Sequence, residues 1–239
     1  MFRGFFLPVF LIVANTLFSQ NAKEDFEKMN KAFDVKALSM KIRYDLYKNK
    51  DTKILFQKEV AELKQSGNLK WMKIGKMETL ETDKYSLLID HGAKEISLLG
   101  KSLNQQNEKN SNPFKMNLDS LLKICEKVEF KNENENQNSY ELVFPNSEYN
   151  KVKVVYNKKT FFIEKLIMYY DEKRKLDENK KEEKEAPRME ILCSEINTNP
   201  SFSDTDFTSD KYIEKTVNGK WIAKALYSSY EVHANLLNE

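Results

Sequence analysis

"YSLLIDHGAKEISLLG", residues 85–100, is the stretch that decides the fold. Tyr85, Leu87 and Ile89 alternate with Ser86, Leu88 and Asp90, and a second apolar run follows the polar "DHGA". A period of two sends successive side chains to opposite faces of an extended chain. Two such runs on either side of a short polar turn predict an antiparallel hairpin, with Gly92 supplying the positive φ that such a turn often needs. No catalytic signature lies beside it, so the use of its apolar face is the question the rest of the chain must answer.

The same reading extends in both directions. Upstream, "NLKWMKIGKMETLETDK" breaks into short strands at "GKM" and "ETD". Earlier still, Met40, Ile42, Tyr44 and Leu46 share one face, with Lys41, Arg43 and Asp45 on the other. "KILFQKEVAELK", bracketed by "KNKDT" and "QSGN", is read as a strand from Ile54, Phe56 and Val60, with helix as the rival reading from its Glu, Ala, Leu and Lys. Downstream, "YELVFP", "KVKVVYN" and "FFIEKLIMYY" predict three consecutive strands, and "PRMEILCSEI" restarts the sheet. "YIEKTVNGKWIA" predicts a hairpin about a two-residue type I′ turn at Asn218-Gly219. "YSSYEVHANLL" alternates again through Tyr230, Val232 and Ala234, and Phe202 and Phe207 are candidate anchors in the loop before the hairpin.

Two segments change period. "AKEDFEKMNKAF" spaces Ala22, Phe26, Met29 and Phe33 as one stripe of an amphipathic helix. "NLDSLLKICEKV" predicts a second helix, capped by Asn117, with Leu118, Leu121, Leu122 and Cys125 inward. The expected fold is therefore α+β: a strongly curved antiparallel sheet, an incomplete barrel, with an N-terminal helix and a mid-chain helix covering its concave face. The polar loop 131–139 and the insert 171–185, with 7 acidic and 6 basic residues in 15, are read as solvated.

The first residues set the address. Arg3, an apolar run from Phe5 to Phe18 and small residues near Ser19 predict a secretory signal over residues 1–20, cleaved near 19–22. The run is shorter than a membrane span needs, and no cysteine follows it for lipid attachment. Residues 21–239 are then expected to be one soluble, exported domain. Removing 1–20 takes Arg3 and no acidic residue, leaving 38 basic against 37 acidic side chains. Such balance argues against a nucleic-acid partner.

Chemistry is sparse. There is no GxSxG, HExxH, phosphate-binding glycine loop or dinucleotide fingerprint, so the chain is read as not an enzyme, with no metal and no cofactor. His91 is placed in a solvated turn and His233 on a solvent-facing strand position. Cys125 and Cys193 have no metal-binding spacing; they form a disulfide or stay two small buried thiols.

The wide apolar face is either a filled core or a cavity for a ligand. The helix "AKEDFEKMNKAF", the strand–turn–strand of residues 85–100, "NLDSLLKICEKV" and a second meander ending in "MEILCSEINTNPSFSDTDF" resemble, in that order, the periplasmic lipoprotein carriers of the LolA type and their LolB-like relatives. The resemblance spans Ala22 to Phe207. It implies a soluble monomeric carrier that holds acyl chains of lipoproteins, or another lipid, and exchanges them with membrane-bound donor and acceptor proteins in outer-membrane biogenesis. Met29, Phe33, Met40, Ile42, Tyr44, Tyr85, Leu87, Ile89 and Leu121 are the expected cavity lining. The alternative is a non-enzymatic interaction or scaffold domain of an envelope assembly with the core filled.

Overall fold

A computed structural model describes residues 22–101, 121, 123–145, 147–171, 186–203 and 205–235. The predicted signal segment and nearly all of the insert 171–185 lie outside them. The described chain is α+β. The described residues cluster into two compact units, and strands β1 (Ala37–Tyr47), β2 (Leu55–Ser66) and β11 (Arg188–Asn197) contribute residues to both.

The first unit holds α1 (residues 22–32), β7 (Lys127–Asn132), β8 (Gln137–Val143), β9 (Tyr149–Asn157) and β10 (Ile163–Tyr170). Its strands run in the order β2-β1-β11-β10-β9-β8-β7. The helical stripe read from the sequence is the buried one: Ala22, Phe26, Met29 and Phe33 are all withdrawn from water. Phe26 packs on Tyr140 with ring centroids 5.1 Å apart, and Phe33 meets Phe162 edge-on at 4.9 Å. Each buried Phe or Met side chain contributes about 2 kcal/mol. One polar clasp accompanies this packing: Asp25 Oδ2 accepts from the Tyr140 hydroxyl at 2.9 Å and the Tyr156 hydroxyl at 2.6 Å. Burial and those bonds to a carboxylate push both phenols well above their ordinary range.

The second unit holds β3 (Leu69–Ile74), β4 (Met77–Glu81), β5 (Tyr85–Asp90), β6 (Glu95–Gly100), β12 (Ile213–Lys215), β13 (Trp221–Ala223) and β14 (Glu231–Asn235). The order is β14-β6-β5-β4-β3-β2-β1-β11, with β12 and β13 as a separate pair. Ile74 pairs with Met77 across Gly75-Lys76, and Gly75 has φ +53°. Positive φ at the first central residue alone is the type II′ pattern; a Cβ there would also stand 3.1 Å from the Glu59 carboxylate.

Several expectations need correction. The sheet is not wholly antiparallel, because β14 pairs with β6 in parallel. A parallel neighbour needs a long crossover, and β6 and β14 are separated in the chain by residues 101–230, strands β7 to β13 included. The ladder of strands has two ends, β14 and β7, and does not close into a barrel. The mid-chain helix is not supported: Leu118 and Leu122 lie outside the described residues, only 121, 123 and 124 are helical, and Lys127 and Val128 belong to β7. The loop 131–139 contracts to a hairpin turn. Asn134 Oδ1 takes the backbone N–H groups of Asn136 at 2.9 Å and Gln137 at 3.0 Å, which lets strands form on both sides.

The residue with positive φ follows the "DHGA" quartet instead of lying within it: Lys94 has φ 60°, while Gly92 is not left-handed. Asp90 Oδ1 has already turned the chain by accepting from Gly92 N at 2.7 Å and Ala93 N at 3.0 Å. On β1 the alternation holds through Leu38, Met40 and Ile42, then changes parity, so that Asp45 is buried and Tyr44 and Leu46 are half-buried. Ile54, Phe56 and Val60 are exposed; the buried side of β2 is Ala61, Leu63 and Gln65. Cys125 and Cys193 are not joined by a disulfide. They fall in different units, and the Cys125 thiol donates instead to the Lys127 carbonyl at 3.0 Å.

Candidate functional site

The nine expected lining residues divide between the units: Met29, Phe33, Tyr44 and Leu121 in the first, Met40, Ile42, Tyr85, Leu87 and Ile89 in the second. Met29, Phe33, Met40, Ile42, Leu87 and Ile89 are buried; Tyr44, Tyr85 and Leu121 are half-buried. The structure gathers Tyr85, Leu87 and Ile89 on the apolar face of β3–β6.

That face is built by register. Leu80, Leu87 and Leu98 stand opposite one another across β4, β5 and β6, with Ile89 opposite Ile96 beside them and Trp71 opposite Leu80 on β3. The C-terminal part of the chain lies over it. Tyr212 and Ile213 are fully buried members of the same cluster, and Phe207, Trp221, Tyr227 and Tyr230 pack against its margin. Phe207 is thus the anchor that the sequence proposes, stacked edge-on with Phe202 at 5.1 Å.

This cover has little regular structure of its own: two short 3-10 turns, Ser209–Lys211 and Ala225–Tyr227, and the three-residue strands β12 and β13. The hairpin differs from the expected type I′ turn. Gly219 N donates to Thr216 O at 2.9 Å, Thr216 N to Lys220 O at 2.8 Å, and Gly219 alone has positive φ, +78°. That is a three-residue loop closed by a glycine bulge, which a positive φ at Asn218 would not allow.

Polar bonds hang the cover from the sheet, and the central one is Glu78 on β4. The residue is only 3% exposed. Oε1 accepts from Trp71 Nε1 at 2.6 Å and from the Tyr212 hydroxyl, and Lys211 Nζ lies 3.6 Å away. Oε2 accepts from His91 Nε2 at 2.9 Å, and His91 Nδ1 bonds the Tyr230 hydroxyl at 3.0 Å. A carboxylate offers no proton, so His91 carries hydrogen on Nε2, and in the neutral ring Nδ1 accepts from Tyr230. Burial by itself raises the Glu78 carboxyl, but the bonds from Tyr212, His91 and Trp71, with the nearby Lys211 charge, outweigh it and hold Glu78 below the ordinary carboxylate range. Burial and the Glu78 charge push the Tyr212 phenol far up. Two further ties sit at the margin: the Tyr85 and Ser209 hydroxyls at 2.6 Å, and Lys64 with Asp206.

His91 is therefore not a solvated turn residue but half of a clamp; a place in a turn makes solvent the ordinary partner, and only the distant Tyr230 and the neighbouring strand replace it here. Glu78 and Tyr212 join the sheet to its cover, and no sequence motif marks either. A signal for Glu78 exists all the same, because it shares the parity of buried Leu80 on a five-residue strand. Trp71, Tyr212 and His91 all donate to Glu78, so its charge is held in place by the clamp. Among the described residues no group of three His, Cys, Asp or Glu side chains is placed to hold a metal ion, and no helix is long and apolar enough to cross a membrane.

No family model matches the chain, and no curated protein matches it in sequence. Solved structures similar to it include one of the LolA superfamily. That protein, from Nitrosomonas europaea, is 14% identical over 79% of this chain and 98% of its own, with a TM-score of 0.35. A conserved protein from Thermus thermophilus is similar over 90% of this chain and 99% of its own, at 8% identity and a TM-score of 0.46. The MucA/MucB complex of Pseudomonas aeruginosa matches over 79% of this chain and 61% of that chain, at 8% identity and a TM-score of 0.48.

Proposed function

We propose that this protein is a non-catalytic binding protein of the cell envelope, a carrier for an acyl chain or another amphiphile, and that its C-terminal segment occupies the ligand's place in the empty state. The observation that carries this reading is the nature of the cover. An aliphatic face of β4, β5 and β6 is closed by irregular chain whose attachment converges on one buried carboxylate. A cover hung from a few polar bonds can leave as a unit, and an alkyl chain entering in its place gains about 0.8 kcal/mol for each CH₂ withdrawn from water. The resemblance in element order to LolA-type carriers, export by the segment 1–20 and a periplasmic site of action belong to the same proposal.

The second reading, an interaction domain with its core filled, is favoured by the complete burial of Leu80, Leu87, Ile89, Ile96 and Leu98 beneath Tyr212 and Ile213. Fluorescent fatty-acid titration of the wild-type protein and of Glu78→Gln separates the two. A self-covered carrier binds the probe, and more tightly once the clamp is weakened. If neither protein binds it, and native mass spectrometry of the purified chain finds no co-purified lipid, the filled-core reading stands.

A further inference from the structure

The connection from β1 to β2 ends in an apolar group that nothing among the described residues covers. Ile54 is 77% exposed, Phe56 52% and Leu55 43%. β3 pairs only with residues 61–66 of β2, so 55–60 run on past it. The stretch leading to this group is nonetheless well built. Asn49 Oδ1 accepts from Asp51 N at 3.2 Å and Thr52 N at 2.9 Å, and Thr52 Oγ1 accepts from Ile54 N at 3.1 Å. From β11, the Arg188 guanidinium lies 4.1 Å from the Tyr47 ring centroid and donates to the carbonyls of Lys50 and of Thr52, the latter at 3.3 Å. Two carbonyls and a ring held by one arginine fix the loop before three consecutive large apolar side chains are presented to solvent.

Charge points to the partner. Between residues 48 and 58 four lysines stand against one acidic residue, Asp51, in a chain whose formal net charge is only +2. Lys53 and Lys58, which bracket the apolar group, are both exposed. Exposed Ile, Leu and Phe flanked by lysines is the composition of a surface that lies in the headgroup region of a negatively charged bilayer, apolar tips among the acyl chains and ammonium groups at the phosphates.

We propose that the β1–β2 hairpin docks this protein on anionic membranes through Ile54, Leu55 and Phe56, with Lys53 and Lys58 on the lipid phosphates. The inference stands on the hairpin alone and does not need the apolar face of β3–β6 to bind a ligand.

The test is local. Phe56→Trp places a fluorophore at the tip, and subtracting the wild-type spectrum removes Trp71 and Trp221. The protein is titrated with vesicles of phosphatidylethanolamine and phosphatidylglycerol, or of phosphatidylcholine alone, with and without brominated acyl chains. Expected are a blue shift and quenching by brominated chains on the anionic vesicles, about tenfold weaker on phosphatidylcholine or when Lys53 and Lys58 are both changed to Gln. Leu55→Ser in the same background weakens the response by about tenfold, the loss of one half-buried aliphatic contact. No blue shift on anionic vesicles, an equal response to both vesicle types, or indifference to Leu55→Ser overturns the proposal. So does a lipid-independent shift that grows with protein concentration, which would make the hairpin a contact between copies of this chain.

Discussion

Glu78→Gln tests the clamp most directly, because the change keeps the shape and removes the charge. Three donors converge on the carboxylate: Trp71 Nε1, the Tyr212 hydroxyl and His91 Nε2. A glutamine presents one oxygen and an NH₂ group, so one of the two sides sets donor against donor unless His91 moves its ring hydrogen to Nδ1 and accepts at Nε2. A hydrogen bond to a buried charge is worth about 1.5–3 kcal/mol, and a stranded buried donor costs about 1–3 kcal/mol more. Losing one side of the clamp should therefore cost about 3–5 kcal/mol. For a chain of this size, at roughly 2–4 °C per kcal/mol, the melting temperature falls by about 6–20 °C. Calorimetry reads the global change, and amide hydrogen exchange reads the local one: residues 207–231 should exchange faster in the variant while α1 is unchanged. A variant that melts within about 1 °C of wild type, with unaltered exchange in the C-terminal segment, would refute the argument that Glu78 holds the cover.

The same group sets a pH dependence. Glu78 is held below its ordinary value of 4.5 in the folded chain, so its stabilisation is complete above that value and is lost as pH falls through the folded one. Melting temperatures from about pH 7 downward should drop below pH 4.5, and the gap between wild type and Glu78→Gln should narrow there; a constant gap would count against the linkage. Leu87→Ala should cost about 2–5 kcal/mol in denaturant titration, and Leu87→Glu should leave the second unit without cooperative unfolding, since the carboxylate would be buried between Leu80 and Leu98 with no partner. Tyr140→Phe and Tyr156→Phe should each loosen α1 by about 1.5–3 kcal/mol through the lost bond to Asp25, read as faster exchange in residues 22–32. Under denaturing, non-reducing conditions both cysteines should alkylate, and a protected pair would contradict the absence of a disulfide.

The sequence by itself determined what depends on local repetition. Alternation in residues 85–100 set the hairpin and its buried side, and the spacing of Ala22, Phe26, Met29 and Phe33 set the covered stripe of α1, because a period fixes which side chains share a face whatever lies opposite. Even Glu78 was legible as a polar residue on an apolar side. Tertiary structure decided what lies opposite. Contacts across more than 100 positions brought Tyr212 and Tyr230 to Glu78 and His91, covered the apolar face of β3–β6 with the chain itself, and carried β14 to the edge of β6 in the parallel sense. It also decided that β2 buries Ala61 and Leu63 and leaves Phe56, with Ile54 just before the strand, outside. Both sides of that strand carry apolar residues, so periodicity alone gives no preference between them; the choice falls to which side finds a neighbour.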